Sequence, residues 1–158
     1  MNKFLIKKAY LIIFLAIAAC SYKPIFAERE YNFEIVEIIF SGEKDINRII
    51  SNKLSLIKAN DKGIKKKYNI LINTKKRKKI ISKDAQGNPL KFEYVLVVDY
   101  SIVENKKILL KRDIEKKYIY NNDADKFKLE QNEKIISDNL SGDIGDMIIS
   151  SIINLNDN

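Results

Sequence analysis

From Leu90 to Ile102 the chain alternates without a break. Leu90, Phe92, Tyr94, Leu96, Val98, Tyr100 and Ile102 fall on one side of an extended backbone. Lys91, Glu93, Asp99 and Ser101 fall on the other, together with Val95, Val97 and Val103. Successive side chains of a strand point to opposite faces, so this stretch predicts one long strand with one face in a core. Glu104 to Lys107 (ENKK) predicts a hairpin turn, and Ile108, Leu110, Ile114, Tyr118 and Tyr120 continue on the return strand.

The rest of the chain reads the same way. Phe33 to Phe40 is β-branched and aromatic with apolar residues on both faces, which predicts a strand buried or nearly buried on both sides. Ser41 and Gly42 break it. Ile46, Ile49, Ile50, Leu54 and Ile57 then recur at helical spacing behind the acidic Glu43 and Asp45, and Asn60, Asp61 and Gly63 stop that helix. Tyr68, Ile70, Ile72 and Thr74 alternate with Asn69, Asn73 and Lys75, a strand facing one core. Asp84 to Pro89 (DAQGNP) predicts a loop. Asp123 is placed to cap a last helix whose apolar stripe is Ile136, Leu140, Ile144, Met147, Ile148, Ile152 and Leu155. Gly142 and Gly145 weaken that helix, which points to a bend or to close packing on the sheet. The order β-α-β-β-β-α predicts an α+β two-layer sandwich: a four-stranded, mostly antiparallel sheet with two helices on one face.

The first residues carry a different pattern. Lys3, Lys7 and Lys8 precede an unbroken apolar run from Ala9 to Ala19, the layout of a secretory signal peptide over residues 1–19. Ser21 and Lys23 end the run short of the roughly 20 residues a spanning helix needs. Ile17, Ala18, Ala19 and Cys20 resemble a bacterial lipobox, and Cys20 is the only cysteine. That resemblance implies acylation of Cys20 as the first mature residue, and several acyl chains make a stable anchor. In such lipoproteins aspartate at the next position favours the inner membrane, so Ser21 leans to the outer one. Residues 20–30 form a short tether and residues 31–158 a single domain.

Composition narrows the chemistry. The 158 residues include no histidine and no tryptophan. Without imidazole, the usual acid–base, triad and histidine–metal chemistry is missing. One cysteine allows neither an internal disulfide nor a zinc cluster. No glycine-rich phosphate loop and no nucleophile elbow occurs. Asp99, Asp113 and Glu115 alternate with apolar residues on strands, where cross-strand ion pairs with lysines and Arg112 explain them better than paired catalytic carboxylates. The chain therefore reads as a non-enzyme with no cofactor and no metal site.

The net charge is +8, and losing Lys3, Lys7 and Lys8 lowers it to +5. The basic residues are 25 Lys against 4 Arg, beside 28 Ile and 16 Asn, a skew that AT-rich codons explain as well as an anionic partner does. Arginines and aromatics are not clustered as nucleic-acid binding would require. The densest charge, Lys75, Lys76, Arg77, Lys78 and Lys79, admits two readings. It is a strand edge that charge keeps from aggregating, or it contacts anionic head groups.

CSYKPIF, from Cys20 to Phe26, resembles the mature start of the LPS-assembly lipoprotein LptE family, in its alphaproteobacterial branch. There the pattern is roughly C-G-F-R/K-P-L-Y. Tyr22, Lys23, Pro24, Ile25 and Phe26 fit by type, and Ser21 replaces the glycine. The order of elements is similar too, as is the stretch from Tyr118 to Asn122 that leads into the last helix. The resemblance implies an outer-membrane lipoprotein on the periplasmic side that plugs the β-barrel LptD, supports its assembly and binds lipopolysaccharide. A meander places the Asp84–Pro89 loop and the start of the last helix at one end of the sheet. Lys79, Lys83, Lys126 and Lys128 lie there and resemble the family's lipopolysaccharide-binding region. Four ordinary solvated lysines is the other reading. A structural or adaptor lipoprotein of another envelope machine, without lipopolysaccharide contact, is the alternative function.

Overall fold

The structure is a computed structural model that describes residues 30–59 and 66–157. The signal peptide, Cys20, the tether up to residue 29 and the helix stop at Asn60–Gly63 lie outside the described residues, and Glu30, the last tether residue, is the first of β1. The elements are β1 (Glu30–Tyr31), β2 (Phe33–Gly42), α1 (Lys44–Leu54), β3 (Lys58–Ala59), β4 (Lys66–Lys83), β5 (Pro89–Glu104), β6 (Lys107–Asn121) and α2 (Lys126–Asp157). The main sheet has the order β2-β4-β5-β6, and β1 and β3 form a two-residue parallel pair beside it. β2 runs parallel to β4, while β4–β5 and β5–β6 are antiparallel. A parallel pair needs a crossover, and α1 supplies it. This is the α+β sandwich that the alternation predicts, with the strand order β-α-β-β-β-α kept and two short pairing segments added.

Alternation sets the core. Tyr68, Ile70 and Ile72 of β4 and Leu96, Val98, Tyr100 and Ile102 of β5 are buried on the helix face. Ile46, Ile50 and Leu54 of α1 and Ile144, Ile148 and Ile152 of α2 close over them. Tyrosines fix the long helix along β5: Tyr94 and Ser137 hydroxyls lie 2.9 Å apart, Tyr100 and Ser151 hydroxyls 2.8 Å apart. Each phenol thus buries its ring and keeps a polar partner.

Four details differ from the sequence expectation. β2 is an edge strand, not one buried on both sides: Val36 and Ile39 are about half exposed, and the register slips by a bulge between Ile35 and Glu37. Leu90 is also 47% exposed, so the buried alternation begins at Phe92. α1 ends at Leu54, because the chain turns there and Lys58–Ala59 pairs with β1. Asp125, not Asp123, caps α2: its Oδ1 accepts from the amides of Phe127 (3.0 Å) and Lys128 (3.3 Å), while Asp123 Oδ1 accepts from the amide of Asp125 (2.9 Å).

Gly145 does allow close packing, but against α1 rather than the sheet. A Cβ there would stand 2.9 Å from Lys53 Cβ. At the next residue of α2, Lys53 Nζ reaches Asp146 Oδ2 at 3.1 Å, so an ion pair borders the tight crossing of the two helices.

The face of the sheet away from the helices carries mixed charge. Val95 points to that face yet is fully buried. Its register neighbours are Arg77 and Lys117, and long cationic side chains lay their aliphatic stems over apolar groups while their heads stay wet.

Candidate functional site at the hairpin tip

β4 outruns β2. Parallel pairing ends at Gly42 and Thr74, and β4 then continues to Lys83 beside β5 alone. From Lys75 onward β4 is therefore a free edge, and the run Lys75–Lys79 starts at the first residue without a parallel neighbour. A bare edge offers unpaired amides and carbonyls to other strands, and a row of cations guards it.

Alternation divides the run between two faces. Lys76 and Lys78 point to the helix side: Lys76 Nζ lies 3.0 Å from Glu43 Oε2, and Lys78 pairs with Glu133. Lys78 Nζ also sits 4.0 Å over the Phe92 ring. Arg77 faces the open side, 3.5 Å from Glu115. The Glu43 carboxylate, by accepting a hydrogen bond, raises the Lys76 pKa above its usual value. Burial first, then the hydrogen bond to Glu133, pushes the Tyr120 phenol well above its usual range. Tyr120 thus remains a neutral donor, 2.7 Å from Glu133 Oε1. Beside this cluster the helix face opens into a cleft of 850 Å3 between β4, β5 and the first halves of both helices. Arg48, Lys76, Lys78 and Lys134 line it together with Asp45, Glu130, Glu133 and Asp138.

The loop after Lys83 is tied to its own first residue. Asp84 Oδ1 accepts from the amides of Gln86 (3.0 Å) and Asn88 (2.7 Å), and Oδ2 accepts from Asn88 Nδ2 (2.9 Å). Gly87 takes φ +88°, a left-handed value that glycine adopts freely. The Asn88 side-chain hydrogen bond leads in holding the Asp84 carboxyl below the usual carboxylate range. A carboxylate with a lowered folded pKa stabilises above its unfolded pKa of about 3.9 and loses that contribution as pH falls through the folded value. The loop is therefore expected to stay ordered above about pH 4 and to loosen below it. An NMR titration of Asp84 with the Asn88 amide shift reads this; an Asp84 midpoint at or above 3.9 would contradict the assignment.

The tip is joined to the last helix. The Asn122 amide donates to the Leu90 carbonyl (2.8 Å), and Asn122 Nδ2 donates to that of Pro89 (2.8 Å). Pro89 is in turn the register partner of Lys83. Lys126 and Lys128 follow within α2's first turn. Lys79, Lys83, Lys126 and Lys128 are all exposed. They share one end of the sheet but not one face. Lys79 stands on the open face opposite Glu93, whereas Lys126 and Lys128 ride on the helix that covers the other.

Sequence reasoning missed several parts. Phe127, between Lys126 and Lys128, is 67% exposed. Its signal was a large aromatic ring outside the predicted apolar stripe, which begins at Ile136. Glu43 and Glu133, the partners of the basic edge, come from distant elements and carried no local signal. Of the acidic trio, Glu115 pairs with Lys117 (2.8 Å) and Arg77 (3.5 Å), and its carboxyl is lowered mainly by Lys117. Asp99 accepts from Asn73 and faces Asp113 in register. Arg112 lies on the opposite, helix-facing side, beside Tyr100. The arrangement is one of ion pairs and hydrogen bonds, which can bind and pack.

Solved structures place this architecture. A lipoprotein B from Nitrosomonas europaea superposes with a TM-score of 0.64 at 21% identity, over 84% of this chain and 90% of that one. The rare lipoprotein B of Shewanella oneidensis gives 0.58 at 16% identity, over 73% and 92%. A minor lipoprotein of Acinetobacter baumannii gives 0.58 at 14%, over 80% and 94%. The chain has the rare lipoprotein B fold. Within that LptE-like fold, the hairpin tip, the basic edge and the start of α2 are the features described above. No protein-family model and no curated protein sequence matches the chain. No helix among the described residues is long and apolar enough to cross a membrane.

Proposed function

We propose that the chain is a lipoprotein of the outer membrane, anchored through Cys20, that plugs the lumen of the lipopolysaccharide-transport barrel LptD and assists lipopolysaccharide insertion. The shared fold with LptE-like lipoproteins carries this reading. The LptE-like CSYKPIF segment supports it from the sequence side. In this role the hairpin tip, with Lys79, Lys83, Lys126 and Lys128, meets the phosphates of lipopolysaccharide. The mixed-charge open face of the sheet meets the polar barrel wall. The role is non-enzymatic and uses no cofactor.

Affinity purification of the acylated chain from its own membranes tests the partner. The expected result is a one-to-one complex with a large outer-membrane β-barrel. Purification without any barrel would favour the adaptor reading, which the carboxylate partners of Lys76, Arg77 and Lys78 also fit. Reversing the four tip lysines to glutamate should weaken lipopolysaccharide binding strongly and leave the remainder less sensitive to salt, since screening acts on such contacts. Binding that survives the reversal would remove the site. Cys20→Ala should abolish labelling by a fatty-acid analogue and leave an unprocessed precursor.

A further inference from the structure

At the end of the sheet opposite the hairpin tip, several elements begin or turn back. β2 starts there beside Lys66, with Phe33 and Lys66 in register. Leu54, Ser55 and Ile57 at the end of α1 line a groove with the first residues of β2. α2 finishes there, where Lys66 Nζ donates to the Asn156 carbonyl at 3.3 Å. The β5–β6 turn lies at the same level, since Asn69 pairs with Val103.

This root of the sheet has its own surface chemistry. Lys66, Lys67, Lys106 and Lys107 are exposed. Leu56 and Ile108 are 56% and 58% exposed. Glu30, Glu34, Glu37 and Glu104 are among the acids at this end, and Glu34 is the register partner of Lys67. The turn holds Asn105 at φ 48° and Lys106 at φ 65°. Both values are left-handed, and the second position of such a two-residue turn ordinarily takes glycine. The chain keeps a lysine there against its backbone preference, which sets a cation at the apex of the turn.

Reach decides what this end faces. Cys20 and Glu30 are ten positions apart, and fully extended that stretch spans at most about 35 Å. β4 alone, with 18 residues, is about 60 Å long. A chain held by Cys20 therefore keeps the root near the bilayer, and its tether is too short to pass along the sheet to the tip. We propose that the root of the sheet, through Lys66, Lys67, Lys106 and Lys107 around Leu56 and Ile108, rests on the bilayer surface and binds anionic phospholipid head groups. Lysines gain attraction at an anionic surface that fades within a Debye length, and the two aliphatic side chains sit among the head groups. The proposal rests on the Cys20 anchor of the preceding section.

The acylated mature chain, reconstituted into vesicles, tests it. Hydrogen exchange is compared between vesicles of phosphatidylcholine alone and of phosphatidylcholine with phosphatidylglycerol. Amides of residues 104–109 are expected to exchange several-fold more slowly on the anionic vesicles, and those of residues 84–88 equally on both. Salt should erase the difference in the unmutated chain. Reversing Lys66, Lys67, Lys106 and Lys107 to glutamate should erase it too, with core exchange in β5 unchanged as the folding control. Equal protection on both vesicles, or protection at the tip instead, would overturn the proposal. Failure to float with neutral vesicles would overturn the anchor separately, and the contrast between compositions would still judge this surface.

Discussion

Leu96→Ala is expected to cost about 2–5 kcal/mol of stability, as truncation of a fully buried leucine does. Leu96 is completely buried at the middle of β5. Its lateral neighbours on the helix face are Lys76 and Lys116. Their charged heads cannot follow a shrinking side chain inward, so the void stays open and the cost falls in the upper part of that range. Glu93→Ala, on the other face, should cost under about 0.5 kcal/mol. Urea unfolding of the two variants checks the pair. Equal losses would mean that the two faces of β5 are assigned the wrong way round.

Gly42→Ala should be as damaging, for a different reason. Gly42 has φ +88°, and a Cβ built there would stand 1.9 Å from the Thr74 carbonyl oxygen. The substituted residue meets a left-handed backbone penalty of about 1–2 kcal/mol. It also forces two strand backbones apart, an overpacking cost of about 1–3 kcal/mol. A total of about 2–5 kcal/mol follows. The neighbourhood amplifies it, since Thr74 Oγ1 accepts from the Glu43 amide at 2.9 Å and ties the start of α1 to β4. Gly87 provides the control. It has the same φ, but nothing lies within 4 Å of its would-be Cβ. Gly87→Ala should therefore cost only the backbone penalty of about 1–2 kcal/mol. Thermal melts of the two variants that coincide would show that the approach to Thr74 is not a constraint.

The strands and the sandwich were legible because a period of two is written along a single segment. β5 shows this best, with six consecutive alternate positions from Phe92 to Ile102 buried. What could not be read were the relations between segments. Asp123 and Asp125 are equally good caps on paper; the choice depends on where β6 releases the chain. The small face at Gly145 was visible, but which neighbour approaches it was not, and Lys53 lies 92 positions away in sequence. The apolar residues of β2 looked like two buried faces because no local signal tells an edge strand from a central one. For the candidate site, the shared end of the loop and the last helix followed from meander geometry. The division of its lysines between two faces did not, since it depends on the layer to which α2 belongs. The charge of the Lys75–Lys79 run was plain, and its place at the point where β2 stops was a matter of register alone.

The unequal length of β2 and β4 also shapes how the molecule comes apart. Below Thr74 a segment leaving the sheet must break four strands and the contacts of both helices. Above it, three strands, the first half of α2 and the start of α1 with its Glu43–Lys76 ion pair hold the hairpin, and β4 there has lost its β2 neighbour. Local opening free energies follow the amount of buried contact broken. The molecule is thus divided into a deep reserve at its root and a shallower one at its tip. The tip can melt and re-form many times while the root stays intact, so the end that carries Lys79, Lys83, Lys126 and Lys128 is also the end free to adjust its shape to what it meets.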